Sequence, residues 1–380
     1  MNKTEVYINK VEKFLPNSPI GNDEMEDYLG EINGVKSKAR TLILRNNGIK
    51  TRYYALEKGG KSTHTNSEIA VESINKLFDD NFTPQDIELL ALGTSSSDQI
   101  VPAHAQMVQG LLKNRTLEAI TPEGTCNSGM LAFKYAFMSV ALGEVENAVV
   151  GGSEKLSTWM LAHNFKEESD KLLEIKNRPF IAFERDFLRW MLSDGSGSAL
   201  MQNKPNTDGI SLKVEWIDII SYSNELATCM YAGGIPDDNG QLIPWRGLSK
   251  EEINEKSVMA LAQNSRLLGE NVIEYGAKAM RRCADKYNFS TSEIDYFLPH
   301  MSSEFFRDKI SVAIADVGCP IDSDKWFTNL TKYGNVGSAS AYLMLEELFN
   351  SGKLKKGEKI LLMSPESARF SYAYVMLTVV

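Results

Sequence analysis

Two runs of the chain share one order of apolar and polar positions. FTPQDIELLALGTSS (82–96) has a Phe, a hydroxyl residue, polar positions, acids flanking Ile, an apolar run and then serines. FSTSEIDYFLPHMSS (289–303) repeats that order about 207 residues later. A short apolar run bounded by small polar residues predicts a buried strand. Each run follows a segment with apolar positions at helical spacing, EIAVESINKLFDDN (68–81) and EYGAKAMRRCADKYN (274–288). Each half thus predicts helix, polar turn and buried strand in the same order.

The match continues downstream. CNSGMLAFKYAFMSVALGEVENAVVGGSE (126–154) resembles NVGSASAYLMLEELFNSGKLKKGEKILLMSPE (335–366) at nearly the same offset. Both open on small residues, read as a helix of about four turns, turn at Gly143 or Gly352, and enter an apolar strand. A period this long excludes solenoids, whose units run ~20–50 residues. It predicts a duplicated α/β domain built of helix and sheet layers. The boundary is expected in the polar stretch 203–208, giving halves 1–205 and 206–380. Pseudo-twofold symmetry brings equivalent element ends together at the centre. Cys126 opens a helix in the first half, Asn335 opens the matching helix in the second, and His300 follows a strand.

Composition narrows the function. The chain has 380 residues, 43% of them hydrophobic, enough for a sizeable core. A formal net charge of −9 argues against nucleic acid as a main partner. The four cysteines lack CxxC spacing and the four histidines are scattered, so neither a metal site nor a disulfide framework is expected. The N-terminus has no apolar signal region, and no run reaches the ~18 apolar residues of a membrane span. A cytoplasmic protein with no membrane association is expected.

Cys126, His300 and Asn335 form a chemically sensible set. Helix N-terminal N–H groups favour a thiolate, which attacks thioesters and holds the acyl group covalently. A neutral imidazole and an amide N–H together can hold an enolate oxygen. Taken singly, each residue also has a bland reading: a small buried hydrophobe, a core histidine, a turn asparagine.

The sequence around these residues resembles the thiolase-fold condensing enzymes, in particular the ketoacyl-acyl-carrier-protein synthase III type. The matching motifs are EGTCNSGM around Cys126, DYFLPHMSS around His300 and KYGNVGSAS around Asn335, supported by GIKTRYYA, LGTSSSD and LSDGSGSALM. The resemblance implies a duplicated αβαβα fold and a Cys126–His300–Asn335 triad. It implies an acyl-Cys126 intermediate, and condensation with a second thioester whose enolate His300 and Asn335 stabilise. It also implies acyl carrier protein or CoA thioesters as partners, a homodimer, and no cofactor or metal. Thiolases have a second catalytic cysteine near the C-terminus, and none follows Cys319; elongating synthases have a histidine in place of Asn335.

Two departures stand out. Where the family has a Gly-rich loop before its last strand, this chain reads SPESARFS (364–371), so the oxyanion N–H groups are expected from Cys126 and Ala368. Extra length is expected in 159–190, as an amphipathic helix, a loop at Pro179 and an aromatic segment. These departures resemble the ketosynthase/cyclases of dialkylresorcinol biosynthesis, which close a cyclohexanedione ring. Ring closure needs a further proton acceptor, for which Glu154 is the candidate. Lys36, Lys38, Arg40, Arg281 and Arg282 are candidate docking residues for an acidic carrier protein. The alternatives are a priming synthase III of fatty-acid or polyketide synthesis, a non-condensing acyltransferase of the same fold, and a non-catalytic partner subunit.

Overall fold

The computed structural model describes residues 4–34, 36–37, 40–165, 188–237 and 239–380. Nine strands make one mixed sheet: β1 (Tyr7–Phe14), β2 (Leu89–Gly93), β3 (Glu118–Ile120), β4 (Asn147–Lys155), β5 (Asp194–Gln202), β6 (Leu212–Ser221), β7 (Tyr296–Pro299), β8 (Lys359–Glu366) and β9 (Ser371–Val379). The spatial order is β7-β8-β9-β6-β1-β5-β4-β2-β3. The duplication is visible in the pairing. β2 runs parallel to β4, and β4 antiparallel to β5. β7 runs parallel to β8, and β8 antiparallel to β9. The halves join where β1 meets β6, at Tyr7–Lys213 and Ile8–Leu212. β3 lies parallel to β2, and in the second half a single parallel bridge between Phe297 and Trp326 takes its place.

Alternation along the strands explains the layers. In β2, Leu89 and Ala91 join one apolar cluster while Leu90 and Leu92 join another. In β7 and β8, Leu298, Ile360 and Leu362 join the first of these, and Phe297, Leu361 and Met363 join a third. The shared inner cluster is filled by α3 (Ser128–Leu142) and α6 (Ser340–Phe349). The outer faces carry α1 (Asn66–Asn75) and α2 (His104–Leu112) on the first half, and α4 (Ser265–Tyr287) and α5 (Arg307–Asp316) on the second. Because both faces are covered, the strands read as continuous apolar runs. The result is a duplicated αβαβα arrangement of layers. The stretch 203–208 lies in the link between β5 and β6.

The two inner helices approach closely enough to demand glycine. A Cβ at Gly152 would lie 2.3 Å from the Ser338 carbonyl oxygen, and one at Gly129 2.4 Å from the same atom. This contact holds the start of α6 against the end of β4, beside Cys126.

Element bounds differ from the sequence expectation at some ends. Thr65 caps α1 through a capping box with Glu68, so the helix begins at Asn66 and stops at Asn75. α4 begins at Ser265, nine residues before the expected start, because Asn264 caps it. The true counterpart of Cys126 is Ser338: each sits in the middle of the 3-10 turn preceding an inner helix, Thr125–Asn127 and Gly337–Ala339. Asn335 lies three residues ahead of that point. Of the expected extra segment 159–190, residues 166–187 lie outside the described residues.

Candidate active site

Cys126, His300 and Asn335 line one cavity of about 410 Å³ at the junction of the halves. Cys126 is presented by a tight turn. Gly124 has φ +149° and Thr125 has φ +41°, a left-handed conformation that costs a β-branched residue energy. That turn leads into α3, placing the thiol at the helix N-terminus.

His300 follows β7, and its backbone N–H donates to the Met363 carbonyl at 2.7 Å, tying it to β8. Burial lowers its imidazole to about 4, so at neutral pH the ring is uncharged and carries one N–H. Asn335 is fixed at three points. Its N–H donates to Met191 O and its carbonyl accepts from Ser193 N, both at 2.9 Å. Its side-chain oxygen accepts from Gly337 N at 2.9 Å, which aligns the amide and leaves Nδ2 as the donor. Asn335 is not among the described non-glycine residues with positive φ, so it is not held there as a turn residue of that kind.

The thiol differs from the simple expectation. Burial, then the charges of Glu366 and Glu154, push the Cys126 thiol well above its ordinary range. The helix end is outweighed, and the resting group is S–H.

The remaining candidates fall elsewhere. Glu154, next to last in β4, is fully buried and absent from the cavity wall. It accepts from Ser95 N at 3.1 Å, Ser95 Oγ at 2.6 Å, Ser96 Oγ at 2.5 Å and Ser338 N at 3.2 Å. It therefore ties the loop after β2 to the start of α6, as a hydrogen-bonded structural carboxylate, not as a base facing substrate. Ala368 also departs from its expected role. Its N–H is taken by the Glu366 carboxylate instead of being free for an oxyanion.

The basic residues do not form one free patch. Arg40 has a side chain only 16% exposed, donates to Glu26 at 3.0 Å and stacks on Trp190, so it is structural. Arg281 and Arg282 sit on α4, paired with Asp285 and with buried Asp218 respectively. Lys36 is exposed, and Lys38 lies outside the described residues. Among the described residues no group of three or more His, Cys, Asp and Glu could hold a metal, and no helix is long and apolar enough to cross a membrane.

Beyond the three polar residues the cavity turns apolar. Leu268, Val272 and Ala277 of α4, Ile310 and Ile314 of α5, and Tyr372 of β9 line it. A cap between β6 and α4 adds Met230, Leu242 and Leu261, a contribution the sequence pattern did not reveal.

Known proteins resemble this chain in sequence and in fold. Residues 284–377 match the family described as the C terminal of 3-oxoacyl-[acyl-carrier-protein] synthase III. A β-ketoacyl-[acyl-carrier-protein] synthase III of Clostridium perfringens is 24% identical over 350 residues, covering 92% of each chain. A tetronic acid condensing enzyme superposes with TM-score 0.74 at 16% identity, covering 98% of this chain and 99% of the other. An OleA variant of Xanthomonas campestris with bound lauric acid and lauroyl-CoA gives TM-score 0.73 at 18% identity over 100% of both chains. The chain therefore has the thiolase fold and is an acyltransferase similar to ketoacyl-acyl-carrier-protein synthase III.

Proposed function

We propose that this Claisen-type condensing enzyme works through an acyl-Cys126 intermediate, and that it closes a β-ketoacyl and an acyl or enoyl partner into a cyclohexanedione. The observation that carries the condensing step is the cavity with Cys126, His300 and Asn335 on its wall and an apolar channel behind them. Cys126 loses its proton and attacks an acyl thioester of CoA or acyl carrier protein, expelling the pantetheine thiol. The acyl chain lies along α4 and α5, whose apolar side chains suit an aliphatic donor. A second thioester enters, and its enolate oxygen accepts from neutral His300 and from Asn335 Nδ2. The enolate carbon attacks the acyl carbonyl, a carbon–carbon bond forms, and Cys126 leaves. With an enoyl partner, the γ-carbon of the 3-oxoacyl chain then adds to the β-carbon of the donor's double bond, which closes the six-membered ring with no group lost.

A homodimer belongs to this reading. Ile100 and Val101 are 65% and 79% exposed, on the loop between the cavity residue Ser95 and α2, where a second copy would cover them. Sedimentation of the free protein tests that. Ring closure is tested by incubating the enzyme with 2-octenoyl-CoA and a 3-oxoacyl thioester and analysing products by mass and proton NMR. A product of the condensate's mass that has lost its olefinic protons supports cyclisation. A condensate that keeps them refutes it and leaves a simple condensing enzyme.

A further inference from the structure

The oxyanion donor expected at Ala368 is occupied, since the Glu366 carboxylate accepts from that N–H. The residue two places earlier in the cavity register offers another. Along β8 the side chains alternate: Met363 and Pro365 line the cavity, and Ser367, next in that register, lines it too. Ser364 and Glu366, off that register, are buried and absent from the wall. Two contacts bring this end of β8 to the triad. Pro299 is the register partner of Met363, and the His300 N–H donates to the Met363 carbonyl at 2.7 Å. Ser371, the cross-strand partner of Glu366, accepts at Oγ from Nδ2 of Asn127, the residue after the nucleophile, at 3.0 Å. The end of β8 is thus held to His300 and to the Cys126 turn, with Ser367 on the cavity side.

The Ser367 hydroxyl is also aimed. Its Oγ accepts from Gln263 Nε2 at 2.9 Å, and among the described residues nothing accepts its proton. Gln263 is 3% exposed and lines the same cavity. It belongs to the cap, in a short strand where Gln263 pairs with Met230. The cap is fastened to the loop, because Cys229 N and Met230 N donate to the Ala368 carbonyl at 2.7 and 3.2 Å. A hydroxyl whose oxygen is held by a fixed amide donor keeps its own proton for another acceptor. Ser95, another hydroxyl on the wall, differs in this respect: it gives its proton to Glu154 at 2.6 Å.

We propose that the Ser367 hydroxyl, and not a backbone N–H of this loop, is the donor that joins Cys126 N in holding the oxyanion, and that Gln263 is the positioning residue that aims it. This rests on the acyl-Cys126 condensing reading. In acylation the Cys126 sulfur bonds to the thioester carbonyl carbon, and the carbon–oxygen π pair moves onto oxygen. That oxygen accepts from Ser367 Oγ and from Cys126 N, and Ser367 keeps its proton throughout. Collapse re-forms the carbonyl and breaks the bond to the pantetheine sulfur, which leaves with the proton that the Cys126 thiol has given up. The same two donors serve when the enolate carbon attacks the acyl group and Cys126 departs. The donor belongs to the loop and its aim to the cap, so the hole is complete only with the cap seated on Ala368.

The test compares two reactions of Cys126. Transfer from octanoyl-CoA passes through an oxyanion. Alkylation by iodoacetamide displaces iodide at a saturated carbon and does not. Single-turnover acylation at saturating octanoyl-CoA, followed by intact mass, is expected to fall about 100-fold or more in Ser367→Ala, the range of a lost oxyanion donor. The half-saturating concentration is expected to stay unchanged, because the ground-state carbonyl gains little from that donor. Gln263→Leu keeps the hydroxyl but not its aim, and is expected to lose about 10-fold. Both variants should alkylate at the wild-type rate, and Ser367→Thr, which keeps a hydroxyl, should recover most of the acylation rate. Wild-type acylation in Ser367→Ala, or acylation and alkylation slowed alike, overturns the proposal and leaves the pair a fastening for the cap. A wild type that alkylates at Cys126 but takes no acyl group overturns the condensing reading itself, and this inference with it.

Discussion

His104 offers a quantitative test of how the first half is built. It opens α2 with no exposed surface, its Nε2 lies 2.9 Å from Ser153 Oγ, and its Nδ1 has no partner among the described residues. Burial lowers the imidazole to about 4, against a smaller upward pull from Asp98. The unfolded chain, with a histidine near 6.5, binds that proton more readily than the folded one. The His104 contribution to stability is therefore whole above about pH 6.5 and is lost progressively as pH falls to about 4. At pH 5 the unfolded chain has gained about 1.5 pH units of proton affinity, and at 1.36 kcal/mol per unit the loss is about 2 kcal/mol. His300 behaves alike, and Asp194, held up to about 6 mainly by burial, works in the opposite direction. Both cancel when one variant is compared with wild type. In His104→Gln an amide can still meet Ser153 but cannot titrate. Urea unfolding of both proteins at pH 7 and pH 5 should show wild type losing about 2 kcal/mol more than the variant. The same pH dependence in both would refute the claim that His104 is folded in its neutral state.

Further perturbations test packing and the channel. Gly152→Ala forces a Cβ to 2.3 Å from Ser338 O, against backbone that cannot yield. Thermal unfolding should show a loss of about 3 kcal/mol or more, the upper end for overpacking, and wild-type stability would show that β4 and the start of α6 do not meet as described. Arg282→Ala leaves buried Asp218 with one cation, Lys286 at 3.1 Å, and the weak Cys283 thiol donor, and should lower urea stability by about 1–3 kcal/mol. Arg281→Ala removes an exposed pair within α4 and a weak contact to Cys319 Sγ at 3.6 Å, and should cost under about 1 kcal/mol. Ala277→Leu puts bulk into the apolar channel and should shift the fastest acyl-CoA donor to a shorter chain, read by acylation rates across chain lengths. No change in preference would remove α4 from the acyl channel.

The sequence carried the strands and the duplication well. LLALG and KILLMS are apolar on both faces because both faces are covered, and such runs stand out between polar turns. The three residues that the structure gathers at the cavity were legible too: Cys126 beside glycines, His300 at a strand end, Asn335 before a small-residue turn. What depends on distant partners was not. Nothing local to Glu154 reveals that Ser338, 184 residues away, donates to it. The Glu366 contact with Ala368 depends on how one loop folds, and side-chain oxygens leave no periodic trace. Arg40 reads as a surface charge until Glu26 and Trp190 are seen to enclose it. The start of α4 was missed because Gly269 and Asn271 weaken the helical signal of its first turns, where Leu268 and Val272 face the cavity.

The central claim is that Cys126 carries the acyl group. The most direct test is intact-protein mass after exposure to a panel of aliphatic and aromatic acyl-CoA thioesters, for wild type and Cys126→Ala. The account predicts a mass gain of one acyl group in wild type, none in Cys126→Ala, and the label on the peptide containing Cys126. A gain that persists in Cys126→Ala, or no gain in wild type with any donor, would contradict it.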